Sequence, residues 1–280
     1  MTSKEEIFAN PAVTATREVG HRLEDDIYVW SQGLAFHNHN LLSGLNDNVA
    51  DPSVREAILK DVWTFFRSVG LDRVNRVLGV EERPDIDKIN KTLADMLSNQ
   101  EHSAILGAGD YIEEAFVNWV RAFAIYDFAA YTYLEKHLGA KEAIRIYMGL
   151  WETFALAPME QRKNEFGIKD ASDVSMDVLG RLSRVYWESI GTPYRVTKDT
   201  EDVHEAEVLV CPYWENMRAL LGESKARSMT LKTEAITSCN YSDAILKALG
   251  VFDKYTFTMD KFACCGDDCC RVRFERRGQR

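Results

Sequence analysis

Near Thr192 the spacing of apolar residues along the chain changes from about 3.6 positions to two. A period of 3.6 buries one stripe of a helix and a period of two buries one face of a strand. The switch therefore predicts an α+β protein, with a helical N-terminal half followed by a mixed β-sheet domain with crossover helices. We place a helical domain over residues 1–191 and a mixed α/β domain over 192–280.

Helices are expected over Thr14–Leu45, Asp85–Leu97, Asp110–Leu138, Ala140–Leu156 and Ser175–Ile190. Another should start at an Asp51 cap with Pro52 in its first turn and run towards Gly70, and Gly139 and Gly191 read as helix stops. Beyond Thr192, Tyr194–Lys198 and Glu205–Cys211 read as a hairpin. They are followed by a helix at Trp214–Leu221, a strand at Leu231–Ser238, a helix at Ser242–Leu249, and strands at Tyr255–Phe262 and Cys270–Glu275.

All six cysteines fall between Cys211 and Cys270. If the strand and helix order reflects parallel crossovers, Cys211 and Cys239 each end a strand and precede a helix, and the cysteines gather at one end of the sheet. Alternation turns Cys270 inward with Val272 and Phe274. Cys239, ahead of the capping residues Asn240 and Ser242, is the first choice for a reactive thiol, because a helix start favours thiolate. A buried free cysteine also serves simply as a small apolar residue. No C-x-x-C pair is present, so a metal site from Cys211, Cys239 and Cys270 has no support from spacing. Zinc or iron would suit such ligands, and no cofactor is otherwise called for.

The segment Ala122–Tyr133 is apolar or aromatic on nearly every side except at Asp127. An unpaired buried carboxylate costs several kcal/mol, so Asp127 must meet a cation, a hydrogen-bond donor or a ligand. An internal salt bridge to Arg121 or Arg145 and a ligand-facing role are both open. Glu152 reads as the polar edge of an amphipathic helix. The histidines form no constellation: His37 and His39 are two apart, and His21, His102, His137 and His204 stand alone. G-x-G-x-x-G, Walker, G-x-S-x-G and H-E-x-x-H motifs are absent.

A net charge of −10 opposes binding to nucleic acid or to anionic membranes. The arginines from Arg271 to Arg280 read as a solvated strand face with a frayed end. No apolar run approaches the roughly 20 residues of a membrane span, and Met1–Asn10 lacks the pattern of a signal peptide, so a cytoplasmic protein is expected. The expected partner is a small molecule, and a homo-oligomer is compatible with this composition.

Three C-terminal pieces carry a family resemblance: Cys211-Pro212-Tyr213-Trp214, the segment Glu234–Cys239, and Gly266-Asp267-Asp268-Cys269-Cys270 with Val272 and Phe274. Trp119-Val120-Arg121 with Asp127, and Leu138-Gly139 leading to Trp151-Glu152, extend it upstream. Over roughly Asp110 to Glu275 the chain resembles the L-2-amino-thiazoline-4-carboxylic acid hydrolases and their relatives, with Cys264 and Cys265 as departures from the pattern. The resemblance implies hydrolytic opening of a cyclic, amidine-like carbon–nitrogen bond in a small amino-acid-derived heterocycle. Cys239, Asp127, Glu234 and Asp267 would carry catalysis, and Cys211, Tyr213 and Trp119 would contact substrate. The C-terminal arrangement is also similar to 4-vinyl-reductase-type small-molecule-binding domains. That likeness implies a sensor or carrier of a small molecule or metal, with Cys211, Cys239 and Cys270 as the metal ligands.

Overall fold

The computed structural model describes residues 22–98 and 107–278, with the side chains of 231–232 and 234–239 excepted. The beginning of the expected first helix, His21, His102 and Arg280 lie outside the described residues. The chain is α+β: a helical N-terminal half, then a four-stranded antiparallel sheet with helices.

The N-terminal half comprises α1 (Leu23–Asn48), α2 (Pro52–Ser68), α3 (Asp72–Leu78), α4 (Ile86–Ser98), α5 (Ile112–Leu138), α6 (Ala140–Leu156), α7 (Met159–Phe166) and α8 (Met176–Ser189). Asp51 caps α2 as expected, its side chain accepting the Ser53 N–H at 2.8 Å ahead of Pro52. The apolar girth of α5 has a plain cause, since α1, α2, α6 and the C-terminal helices all pack around it. Gly139 ends α5 with φ of 81°, a backbone shape that costs a glycine nothing and lets α6 begin at once.

The C-terminal part comprises β1 (Tyr194–Asp199), β2 (Val203–Val208), α9 (Pro212–Leu221), α10 (Glu223–Ala248), β3 (Tyr255–Lys261), a 3₁₀ turn (Ala263–Cys265) and β4 (Cys270–Arg276). The sheet order is β1-β2-β4-β3, and every neighbouring pair is antiparallel. This corrects the expected parallel crossovers and the mixed sheet built on them. The expected strand Leu231–Ser238 and helix Ser242–Leu249 are instead parts of the single helix α10. Its β-branched residues are accommodated locally: the Thr230 hydroxyl donates to Ala226 O at 3.0 Å and that of Thr233 to Met229 O at 3.3 Å, bonds a helix tolerates. Packing of α10 against α6 and α9 does the rest.

The predicted alternation in the last strand holds: Cys270, Val272 and Phe274 are buried and face inward between more exposed neighbours. Two apolar cores form, and both draw on residues from each side of Gly191. The larger runs from Ile27 through α5 to Val272, and the smaller joins Met176 and Leu179 to Leu246 and Phe274. Among the described residues no helix is long and apolar enough to cross a membrane.

Candidate functional site

Between the helical half and the inner face of the sheet lies a cavity of about 590 Å³. The sheet contributes Val208, Phe257, Met259, Cys270, Val272 and Phe274. These share one face because Val208 pairs with Cys270, Met259 with Val272, and Phe257 with Phe274. The helices add Tyr28, Trp30 and Phe36 from α1, Asp127 and Phe128 from α5, Trp151 and Phe154 from α6, Tyr186 and Trp187 from α8, Tyr213 from α9 and Tyr241 from α10. Gly33 opens space beside them: a Cβ there would stand 3.6 Å from the Phe123 and Phe154 rings. The Trp30 indole donates to Ser189 O at 2.6 Å and so ties α1 to the end of α8.

Among the described residues that line the cavity, Asp127 is the only carboxylate, and it is 2% exposed. Its Oδ1 lies 2.8 Å from His37 Nε2 and accepts the Trp151 indole N–H at 3.1 Å, while Oδ2 accepts the Tyr147 hydroxyl at 2.7 Å. Neither expected arginine takes part. Arg121 donates to Asn216 Oδ1, and Arg145 bonds Glu142 and Asn48. His37 is fully buried among the rings of Phe123, Trp151 and Phe154, and its Nδ1 has no partner. The Thr192 hydroxyl is another buried, unpartnered polar group on a cavity-lining residue.

The thiols separate. Strands β2 and β3 run in the same direction with β4 reversed between them, so Cys211, Cys264, Cys265, Cys269 and Cys270 all lie at one sheet end. Of these, Cys211 and Cys270 line the cavity. Cys211 caps α9, its Sγ accepting the Trp214 N–H at 3.5 Å, and Cys270 Sγ accepts the Ala263 N–H at 3.4 Å. Cys264 is buried and Cys265 exposed. Burial, with help from Asp268 and Glu207, pushes the Cys269 thiol up and so disfavours its thiolate.

Cys239 lies within α10 rather than at a helix start, which removes the reason for choosing it as the reactive thiol. Its side chain and that of Glu234 are outside the described residues. Asp267 is exposed in the turn before β4, where its carboxylate accepts the Phe262 N–H at 2.8 Å, and it does not line the cavity. Trp119 is wholly buried in the core and does not line it either. Tyr213 and Cys211 do, and Glu152 is exposed, as expected for a polar helix edge.

Among the described residues no three His, Cys, Asp or Glu side chains are grouped to hold a metal ion. Tyr147, Thr192 and Tyr241 are site residues that the sequence does not single out, and His37 and Trp151 take on a part in the site that their sequence context does not signal. Burial pushes the Tyr241 phenol up to about 12, so it lines the cavity as a neutral hydroxyl. Comparison of the chain with protein-family models, curated proteins and solved structures gives no match.

Proposed function

We propose that this protein binds a small, largely aromatic molecule in the cavity between its helical half and its sheet. The observation that carries the reading is the cavity itself: about 590 Å³, walled by aromatic rings and the apolar sheet face, with a mostly apolar surface. Ligand pockets commonly have this size and character, a greasy surround supplying affinity and a few placed polar atoms fixing orientation. Displacing water from such a surface favours association roughly in proportion to the apolar area covered.

The test is titration with N-phenyl-1-naphthylamine, a probe that fluoresces in apolar surroundings. Saturable one-to-one binding is expected, with loss of binding in Ser242→Phe, which fills the cavity from α10 while leaving the protein surface unchanged. Ser242 is buried and lines the cavity. Binding that is unsaturable, or that survives in the filled variant, overturns the reading.

A second reading, hydrolysis of a cyclic amidine-like bond, draws on the presence of Cys211 and Cys270 in the wall that also holds Asp127. A thiolate capping α9 could attack an amidine-like carbon, the ring carbon–nitrogen bond breaking as its nitrogen takes a proton, and water would then displace the thiol from that carbon, with a carboxylate holding the nitrogen. Consumption of 2-amino-thiazoline-4-carboxylic acid, followed chromatographically and abolished in Cys211→Ser, supports this reading. No consumption by folded wild-type protein counts against it.

A further inference from the structure

A carboxylate offers about four lone-pair positions to donors, and Asp127 uses three: two on Oδ1 and one on Oδ2. Its partners are an imidazole, an indole and a phenol, and no lysine or arginine hydrogen-bonds it among the described residues. His37 Nδ1 has no hydrogen-bond partner among the described residues. The arrangement therefore fixes the carboxylate's orientation through hydrogen bonds without placing a permanent positive charge beside it.

The surroundings matter as much. Trp151, Phe154, Phe128 and Tyr213 line the same cavity, and aromatic faces attract cations through their quadrupoles. The one basic residue among the described residues of the lining, Arg162, already holds Glu165 on its own helix at 2.7 Å. A neutral ligand would leave the charge of a buried carboxylate uncompensated, and an anion would meet repulsion in a medium that screens it poorly.

We infer that the cavity selects an aromatic or heteroaromatic monocation bearing N–H groups, with Asp127 as its counter-ion and the surrounding rings as its cage. The inference rests on the cavity being a ligand site, and it adds the charge and head group of the ligand. The cation donates an N–H to Asp127 Oδ2, while its flat body lies among the rings.

The test uses isothermal titration of the full chain with 2-naphthamidine, a planar cation, and with 2-naphthamide, its neutral near-isostere. Wild-type protein should bind the amidine at least about tenfold more tightly. Asp127→Asn keeps an acceptor for His37 and Trp151 but removes the charge, and it should bring the two affinities together by weakening the amidine alone. If that variant does not fold, Trp151→Phe, which replaces the indole by a ring that attracts cations less strongly and removes one donor to Asp127, should reduce the preference about threefold. Equal binding of both probes by wild-type protein overturns the cation inference and leaves the aromatic-ligand reading standing. Binding of neither probe overturns both. A preference that persists undiminished in the folded variant shows that Asp127 is not its source.

Discussion

Replacing Asp127 by alanine removes the common acceptor of three buried donors, His37 Nε2–H, Trp151 Nε1–H and the Tyr147 hydroxyl. A buried donor left without a partner costs roughly 1–3 kcal/mol. Allowing the Tyr147 hydroxyl to rotate and water to reach the cavity side, the lower half of that range per donor gives about 3–6 kcal/mol in all. That is a large part of the 5–15 kcal/mol typical of a folded domain. Asp127→Asn is different. Its amide oxygen can still accept from His37 and Trp151, and its NH₂ can donate to a reoriented Tyr147 hydroxyl, so the loss should be about 1–2 kcal/mol. Urea unfolding followed by far-ultraviolet circular dichroism measures both, with an unchanged slope showing that the unfolding reaction is the same. An alanine variant within about 1 kcal/mol of wild type would refute the claim that this network depends on Asp127. An asparagine variant as unstable as alanine would show that charge, not hydrogen-bond geometry, holds it.

Other expectations follow from separate places in the fold. Gly180 in α8 packs directly on His204 of β2, where a Cβ would lie 2.7 Å from the imidazole Nδ1. Gly180→Ala should therefore destabilise by about 1–3 kcal/mol despite alanine's better helix propensity, and a rise in melting temperature would contradict this. Burial pushes the His204 imidazole below its ordinary value of 6.5, outweighing the opposing pull of Asp199. The unfolded chain thus binds the proton more readily, so this group's contribution to stability is whole above pH 6.5 and declines as pH falls towards the lower folded value. Wild-type protein should lose stability more steeply than His204→Gln between pH 7 and 5, and parallel profiles would contradict that sign. Mass-spectrometric mapping of iodoacetamide labelling in native protein should find Cys265 modified before Cys211, Cys264, Cys269 and Cys270, the other described thiols, which are all buried. Faster modification of Cys269, whose thiolate is disfavoured, would be the telling exception.

The burial of Asp127 was legible because a carboxylate within an otherwise apolar helix has few ways to be folded. Its partners were not. Arg121 is six positions earlier on α5, about 240° around the helix, and so points away from Asp127. The residues that do meet it come from α1 and α6, and His37 is 90 positions distant in sequence. Spacing rules for histidine pairs test for two histidines on one helix and are blind to a histidine brought to a carboxylate by helix packing.

The change of period near Thr192 does mark the passage from helices to sheet, yet Leu231–Ser238, whose pattern suggests a strand, is helical. Leu231, Thr233, Ala235 and Thr237 at every second position, with Lys232 and Glu234 between them, imitate a strand pattern, while the local Thr hydroxyl bonds and the packing of α10 decide for helix. With that strand gone the crossover argument fails. The described cysteines still meet at one sheet end, because antiparallel β4 begins where β2 and β3 finish. The alternation that turned Cys270 inward needed only local geometry, and it survived the change of topology.

On the reading proposed above, the space bounded by α1, α5, α6, α10 and the inner sheet face holds an aromatic ligand against Asp127. A crystal structure of the protein grown with 2-naphthamidine tests it most directly. Density for the ring system is expected among Trp151, Phe154, Phe128 and Tyr213, with an amidine nitrogen at hydrogen-bond distance from Asp127 Oδ2. A ligand bound elsewhere, or a cavity closed by side chains with Asp127 facing no ligand, would contradict it.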